Sequence, residues 1–546
     1  MKKCLPLFLI FIIAQVSSHP ACGHHLLKHD SQIVDQELDG TTIENLRMTD
    51  APKVQFEPIR IRFDYSLISS NSTELKNMKM VLDNNVKKFF ADLIKVKRQG
   101  SYKIESKCSD YQVPSKYTDG KYSSADLIIL VRIENDTSSK IEAAASHCQQ
   151  ESVTKRAIVG HLTFRKELFD DKFDSVKNDY MTWLAIHELT HVLVFSEQLF
   201  RSWPVSFGKN GINAVIGKKT RPDGTEMKFL KTPKILELGK KHFNCPDFYG
   251  LPLEYNGEQG TSGSHWAKRY MNTDYMIGDS YGENLISPLT LAMFEDSQWY
   301  KPNYDLANLF LWGKSQGCDF LNPNIKCASP INTGITSPFK NSYCTNPDQP
   351  VCSVGNVFRG NCKTKSENPN IIKESEKYFK NPNIGGEDIL VDRCPIPIES
   401  KTKKNHYYGG SCRNGSTSNI KSFEKVCPSC ACFTGTIVYN NFRKSLEENK
   451  SYAIPASGVL KKKKMTTIQQ DEEEILETYC LEYRCNDNVN NQSPKLFVVI
   501  LGKLNECPEG QTIELDGFYG KLVCPPASNI CNKSYNCKFG CTNRYK

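Results

Sequence analysis

The stretch Met181–Phe195, MTWLAIHELTHVLVF, restricts this chain more than any other. It holds His187, Glu188 and His191 in the spacing H-E-x-x-H. On a helix, residues four apart project from one face about one turn apart. That suits two nitrogen ligands of one tetrahedral zinc, with Glu188 placed to take a proton from a zinc-bound water. Trp183, Leu184, Ile186, Leu189, Val192, Leu193 and Phe195 surround the helix with apolar side chains, which predicts burial on most sides. Two imidazoles are also what a pair of core histidines would look like. A third ligand from elsewhere in the chain decides between the two readings.

At 546 residues the chain is too long for one ordinary core, so several domains are expected. The formal charge of +9 is small for that length and dispersed, which argues against nucleic-acid binding. Residues 1–18 read as a signal peptide: Lys2 and Lys3 form the basic end, Leu5 to Val16 the apolar core, and Ser17-Ser18 a small-residue cleavage site. No later stretch reaches membrane-spanning length. The closing CTNRYK lacks the hydrophobic tail of a GPI signal. Twenty-two cysteines agree with an oxidising, extracellular or cell-surface destination. Without Cys4 an odd number remains, so one is expected to be unpaired or paired outside the chain. Glycosylation candidates are Asn71, Asn135, Asn414, Asn449 and Asn532; Asn491 is set aside because Pro494 follows its serine.

Residues 19–50 are polar, histidine-rich and without apolar periodicity, and read as a pro-segment containing Cys22. Ile59, Ile61, Phe63 and Tyr65 alternate as in a strand, and Leu75, Met78, Leu82, Val86, Phe89 and Leu93 follow helical spacing. Ala125–Ile133 and Arg156–Phe164 read as buried strands, the second as a sheet edge where an extended peptide could align. Together with the central helix they describe a helix packed behind a twisted sheet. A catalytic subdomain is placed at 51–196 and a central one at 197–320. The latter includes a helix near Lys234–His242 and another over Ser287–Asp296, with Pro288 in its first turn. From Cys318 onward lie 17 of the 22 cysteines, so 321–546 is expected to be a disulfide-held region of loops and short strands, Leu496–Leu501 the clearest.

The compact extension H-E-x-x-H-x-x-G-x-x-H is absent, because Val194 and Glu197 stand at its glycine and third histidine. After the leader, His147, His161, His242, His265 and His406 remain. His265 is the best candidate, since Gly260 and Gly263 in GEQGTSGSHW let a loop approach a metal closely. Met276 follows eleven residues later in TDYMIGD, like the methionine turn beneath a metzincin zinc.

HELTHVLVFS, a long insert, then GSHW and Met276 resemble the leishmanolysin family of zinc metallopeptidases. SPLTLAMFEDSQWYKPNYDLANLFLWGKSQGCDF, CSDYQVP, RIRFDYS and FNCPDF extend the resemblance over roughly residues 55–325. It implies an α+β fold with a metzincin-type catalytic domain, a central α-rich subdomain carrying the third ligand and Met-turn, and a disulfide-rich C-terminal domain. It also implies one Zn²⁺ held by His187, His191 and His265, Glu188 as catalytic base and Met276 as the Met-turn residue. Substrates would be proteins or peptides, and cell-surface adhesion a further role. Cys22 would act as a cysteine switch, its thiolate taking the open zinc position; its alternative role is as a disulfide partner. The family usually has glycine where this chain has Val194. A β-branched residue is disfavoured at positive φ, so a strained or displaced turn is expected there. The competing reading is a cysteine-rich secreted or surface binding protein on the same scaffold, with little or no proteolysis.

Overall fold

A computed structural model describes the strand Gln32–Val34 and residues 55–531. Within the latter, breaks fall at 71, 99, 120–121, 136–140, 257–260, 280–282, 332–333, 340–341, 345–348, 367–371, 400–409, 414–420, 440–475 and 487–493. Three two-residue strands interrupt the break at 440–475: Tyr452–Ala453, Lys461–Lys462 and Glu473–Glu474.

Five strands form the sheet that carries the site: β1 (Gln32–Val34), β2 (Ile61–Asp64), β3 (Leu127–Glu134), β4 (Ala143–Glu151) and β5 (Ala157–Arg165). Their spatial order is β1-β4-β5-β3-β2. β2 and β5 each run parallel to β3, whereas β4 runs antiparallel to β5. In β2, Ile61 and Phe63 are buried while Arg62 is exposed, the alternation of a strand with one face on the core. β3 and β5 are apolar and buried along most of their length, so both strands pair on both sides. For that reason Arg156–Phe164 does not form the sheet edge expected from sequence: β5 lies between β4 and β3. The antiparallel β4 lies outermost in the body of the sheet, and β1 joins its end in parallel, Gln32 to Val34 opposite Gln149 to Glu151. β4 has no apolar periodicity, since AAASHCQQE is small and polar, yet all nine residues are buried.

The helical spacing of Leu75 to Leu93 is realised as α1 (Thr73–Lys79), a π-helical segment Met80–Val86, and α2 (Lys87–Leu93). Ser72 caps the run, its hydroxyl accepting from Leu75 N at 3.1 Å. The central helix α3 (Ser175–Leu193) starts on an Asp174 cap, its carboxylate accepting from Lys177 N at 2.8 Å. α3 packs against β4, β5 and the π-helical segment. At Gly160 of β5 a Cβ would lie 2.7 Å from Val192 Cγ1 and 2.8 Å from Ser146 O, so only glycine lets the helix sit this close to the sheet. Beyond α3 come α4 (Glu197–Ser202), α5 (Pro233–Phe243), α6 (Lys268–Met271) and α7 (Pro288–Asp296). Ser287 caps α7 just before Pro288.

One apolar core runs from Ile59 to Ile396, and a second gathers Phe423 to Ile530 around a six-stranded sheet. The fold is therefore mixed helix and strand, and rich in disulfides: Cys108–Cys148, Cys245–Cys318, Cys327–Cys394, Cys352–Cys432, Cys412–Cys480, Cys427–Cys430, Cys485–Cys531 and Cys507–Cys524. Cys344 and Cys362 are buried thiols. Among the described residues no helix is long and apolar enough to cross a membrane. Asn135 is exposed directly after β3. Asn71, Asn414, Asn449, Asn532 and Cys22 lie outside the described residues.

Gly160→Val should lower stability by about 1–3 kcal/mol, because the added methyls force α3 off the sheet. Denaturant unfolding of the variant beside the parent measures this; an unchanged midpoint would contradict the packing.

Candidate metal centre

His187 and His191 lie one turn apart in the buried second half of α3, and His265 reaches them from the loop before α6. Their Nε2 atoms form a near-equilateral triangle: 3.1 Å for His187–His191, 3.1 Å for His187–His265 and 3.2 Å for His191–His265. Among the described residues this is the one cluster of three metal-ligating side chains.

Each ring is oriented by a backbone carbonyl at its other nitrogen. His187 Nδ1 donates to Tyr275 O at 2.8 Å, His191 Nδ1 to Phe195 O at 2.7 Å and His265 Nδ1 to Thr261 O at 2.9 Å. A carbonyl only accepts, so in the neutral ring the proton belongs on Nδ1 and the lone pair on Nε2. Three lone pairs then face one another about 3 Å apart with no proton between them. A cation relieves that repulsion, and the donor set of three neutral imidazoles suits zinc. His187, His191 and His265 would hold such an ion through their Nε2 atoms, and zinc bound there would supply Lewis-acid chemistry. Burial pushes His187 down to about 4, only partly offset by its bond to Tyr275 and by Asp279, so the ring is neutral at physiological pH.

Glu188, next to His187, is fully buried at the same level of the helix. Met276 is also fully buried. Its backbone accepts from Trp266 N at 3.0 Å, which ties its turn to the residue after His265, and Tyr275 beside it supplies the carbonyl for His187. Asp274 organises this turn, accepting from Met276 N, Ser287 N and Thr290 Oγ1. Gly263 has φ +83°, the left-handed conformation that glycine allows, while Gly260 falls outside the described residues.

Val194 does not take the positive φ behind the expectation of a strained turn. Val194 has φ −152° and ψ −33°, and both its N–H and that of Phe195 donate to Thr190 O at 2.9 Å. The helix ends without a left-handed residue, and the same turn points Phe195 O back at His191. The other histidines stay apart. His161 stacks on Tyr111 with centroids 4.6 Å apart, His242 Nε2 donates to Trp312 O, and His147 is buried in β4. His406 lies outside the described residues. Sequence reasoning missed the three carbonyls, which any residue type supplies, so no side-chain pattern could have marked them.

A family model for leishmanolysin matches residues 77–538. The chain belongs to the leishmanolysin family. It is 28% identical over 449 residues to a leishmanolysin homolog of Crithidia fasciculata, covering 80% of this chain and 60% of the relative. It is 25% identical over 446 residues to a leishmanolysin-like peptidase of Drosophila melanogaster, covering 72% and 61%. To the ciliated left-right organizer metallopeptidase of Mus musculus it is 30% identical over 252 residues, covering 44% of this chain and 34% of that protein. The aligned chain thus spans about three-fifths of the length of the first two relatives.

His265→Ala should abolish zinc retention while α3 stays folded, read by metal content after gel filtration and by circular dichroism. Val194→Gly should destabilise by about 2 kcal/mol through lost burial and leave zinc retention unchanged. Tighter metal binding in that variant would show the valine turn to be strained after all.

Proposed function

We propose that this chain is a secreted or surface-associated zinc metalloendopeptidase that hydrolyses internal peptide bonds of proteins. The observation that carries the reading is the triangle of three Nε2 lone pairs, each ring oriented by a backbone carbonyl, beside the buried Glu188. His187, His191 and His265 would hold one zinc per chain. A bound zinc supplies Lewis-acid polarisation and lowers the pKa of water. Glu188 takes the proton from the attacking water and returns it to the nitrogen of the leaving amine. Met276, in the turn that fastens both Trp266 and the His187 carbonyl, serves as the floor of the centre.

The proposed organisation is a signal peptide at 1–18, a pro-segment at 19–50, catalytic and central subdomains at 51–196 and 197–320, and a cysteine-rich region at 321–546. Eight disulfides among the described residues support passage through the secretory pathway. An extended substrate would add to the outer edge of β4, because main-chain pairing holds a peptide without regard to its sequence. Part of that edge is taken by Gln32–Val34 of the pro-segment. Latency would then have two sources: strand pairing at β4 and the Cys22 thiolate at the metal.

The test compares protein freed of residues 19–50, with and without a chelator, beside Glu188→Gln, on casein. Chelator-sensitive cleavage that drops roughly 100-fold or more in Glu188→Gln is expected. One bound zinc with no cleavage would assign the chain instead to binding or adhesion. For the precursor, Cys22→Ser should give premature cleavage of casein; a precursor that stays latent removes the cysteine from the switch.

A further inference from the structure

The loop carrying His265 is tied to a segment more than a hundred residues later in the chain. Asp392 is buried, and its carboxylate accepts from Arg269 Nη1 at 2.6 Å, Arg221 Nη2 at 2.9 Å, Tyr255 Oη at 2.9 Å and Asn256 Nδ2 at 2.5 Å. Burial opposes its charge, yet Arg269 and Arg221 hold it below the usual carboxylate range. Asp388 meets Lys268 Nζ at 2.6 Å. Thus Tyr255 and Asn256 before His265, and Lys268 and Arg269 after it, all end on the two aspartates. The aspartates are themselves fixed: Tyr378 Oη donates to Asp392 O at 2.8 Å, and Cys394 is bridged to Cys327.

A continuous relay leads from there to the metal ligand. Asn256 Nδ2 donates to Asp392, Thr261 Oγ1 donates to Asn256 O at 2.9 Å, and His265 Nδ1 donates to Thr261 O at 2.9 Å. Glu254 braces the same loop: its carboxylate accepts from the backbone N–H of Tyr255, Asn256 and Lys268, and its own N–H donates to His265 O at 2.8 Å.

We propose that Asp392, acting through Asn256 and Thr261, is a positioning residue for His265, so that the cysteine-rich region completes the metal centre. This rests on the zinc reading above. Ring orientation decides whether the Nε2 lone pair meets the ion, and outer partners of metal-bound histidines set affinity by 10- to 100-fold. Asp392 does so at a distance, by fixing the carbonyl that receives the His265 proton.

Asn256→Ala breaks the relay while leaving Asp392 paired with both arginines, so no buried charge is stranded. Asn77→Ala is the comparison: it removes two side-chain hydrogen bonds, to Phe169 O and Asp170 O, that have no part in the relay. In the full chain, zinc affinity is measured by competition with a chromophoric chelator, and ligand geometry by the visible absorption of the cobalt(II)-loaded protein. Asn256→Ala should weaken zinc by about 10- to 100-fold and alter the cobalt spectrum. Asn77→Ala should lower the unfolding temperature and leave both unchanged. Asp392→Asn should follow Asn256→Ala; if it does not fold, Asn256→Ala decides. Zinc affinity within twofold of the parent in Asn256→Ala, with an unaltered cobalt spectrum, overturns the inference. A parent chain that takes up no zinc overturns the metal reading, and this one with it.

Discussion

Three imidazole lone pairs about 3 Å apart, each held in place by a carbonyl behind the ring, set the terms for the rest of this molecule. Left to themselves the rings would turn away from one another or share a proton. They do neither because Tyr275, Phe195 and Thr261 each claim an Nδ1 proton through the backbone. Those carbonyls belong to three separate turns: the one before Met276, the end of α3, and the loop after Asn256. Each turn must therefore be fixed independently, and much of the surrounding structure does that. Asp274 fastens the first, Thr190 O gathers the N–H groups of the second, and Glu254 with Asp392 fastens the third.

That requirement accounts for a costly feature. Arg221, Arg269 and Asp392 are buried together, as are Lys268, Asp279 and Asp388. Buried ion pairs often gain little net stability over apolar packing, because desolvation offsets their attraction. What they do provide here is direction: an aspartate that meets two guanidiniums, a phenol and an amide admits only one arrangement of the loops that bear them. A packed leucine would exclude water equally well but would not specify where Asn256 and Thr261 sit.

Much of the sheet and its helices was legible in the sequence. β3 and β5 are long apolar runs, the segment Thr73–Leu93 keeps helical spacing, and α3 carries its own motif. β4 was not legible, because Ser146, His147, Gln149, Gln150 and Glu151 are polar residues buried by their neighbours rather than by their own chemistry. Arg156–Phe164 is not the edge because β4, which no apolar pattern marks, pairs along its other side. Val194 misled in the opposite direction. A valine where a family usually has glycine suggests a left-handed turn, but the helix here ends at negative φ.

The sequence alone determined the chemistry on offer: two histidines four residues apart with a glutamate between them, a third histidine in a glycine-rich segment, and enough cysteine for many disulfides. Those follow from residue type and short spacing, which a chain cannot change by folding differently. Only the tertiary structure decided which ring nitrogen faces inward, that β5 lies inside the sheet between β3 and β4, and that Asp392 pairs with residues on both sides of His265. These depend on carbonyls and charges brought together across scores of residues, and local pattern holds no record of such meetings.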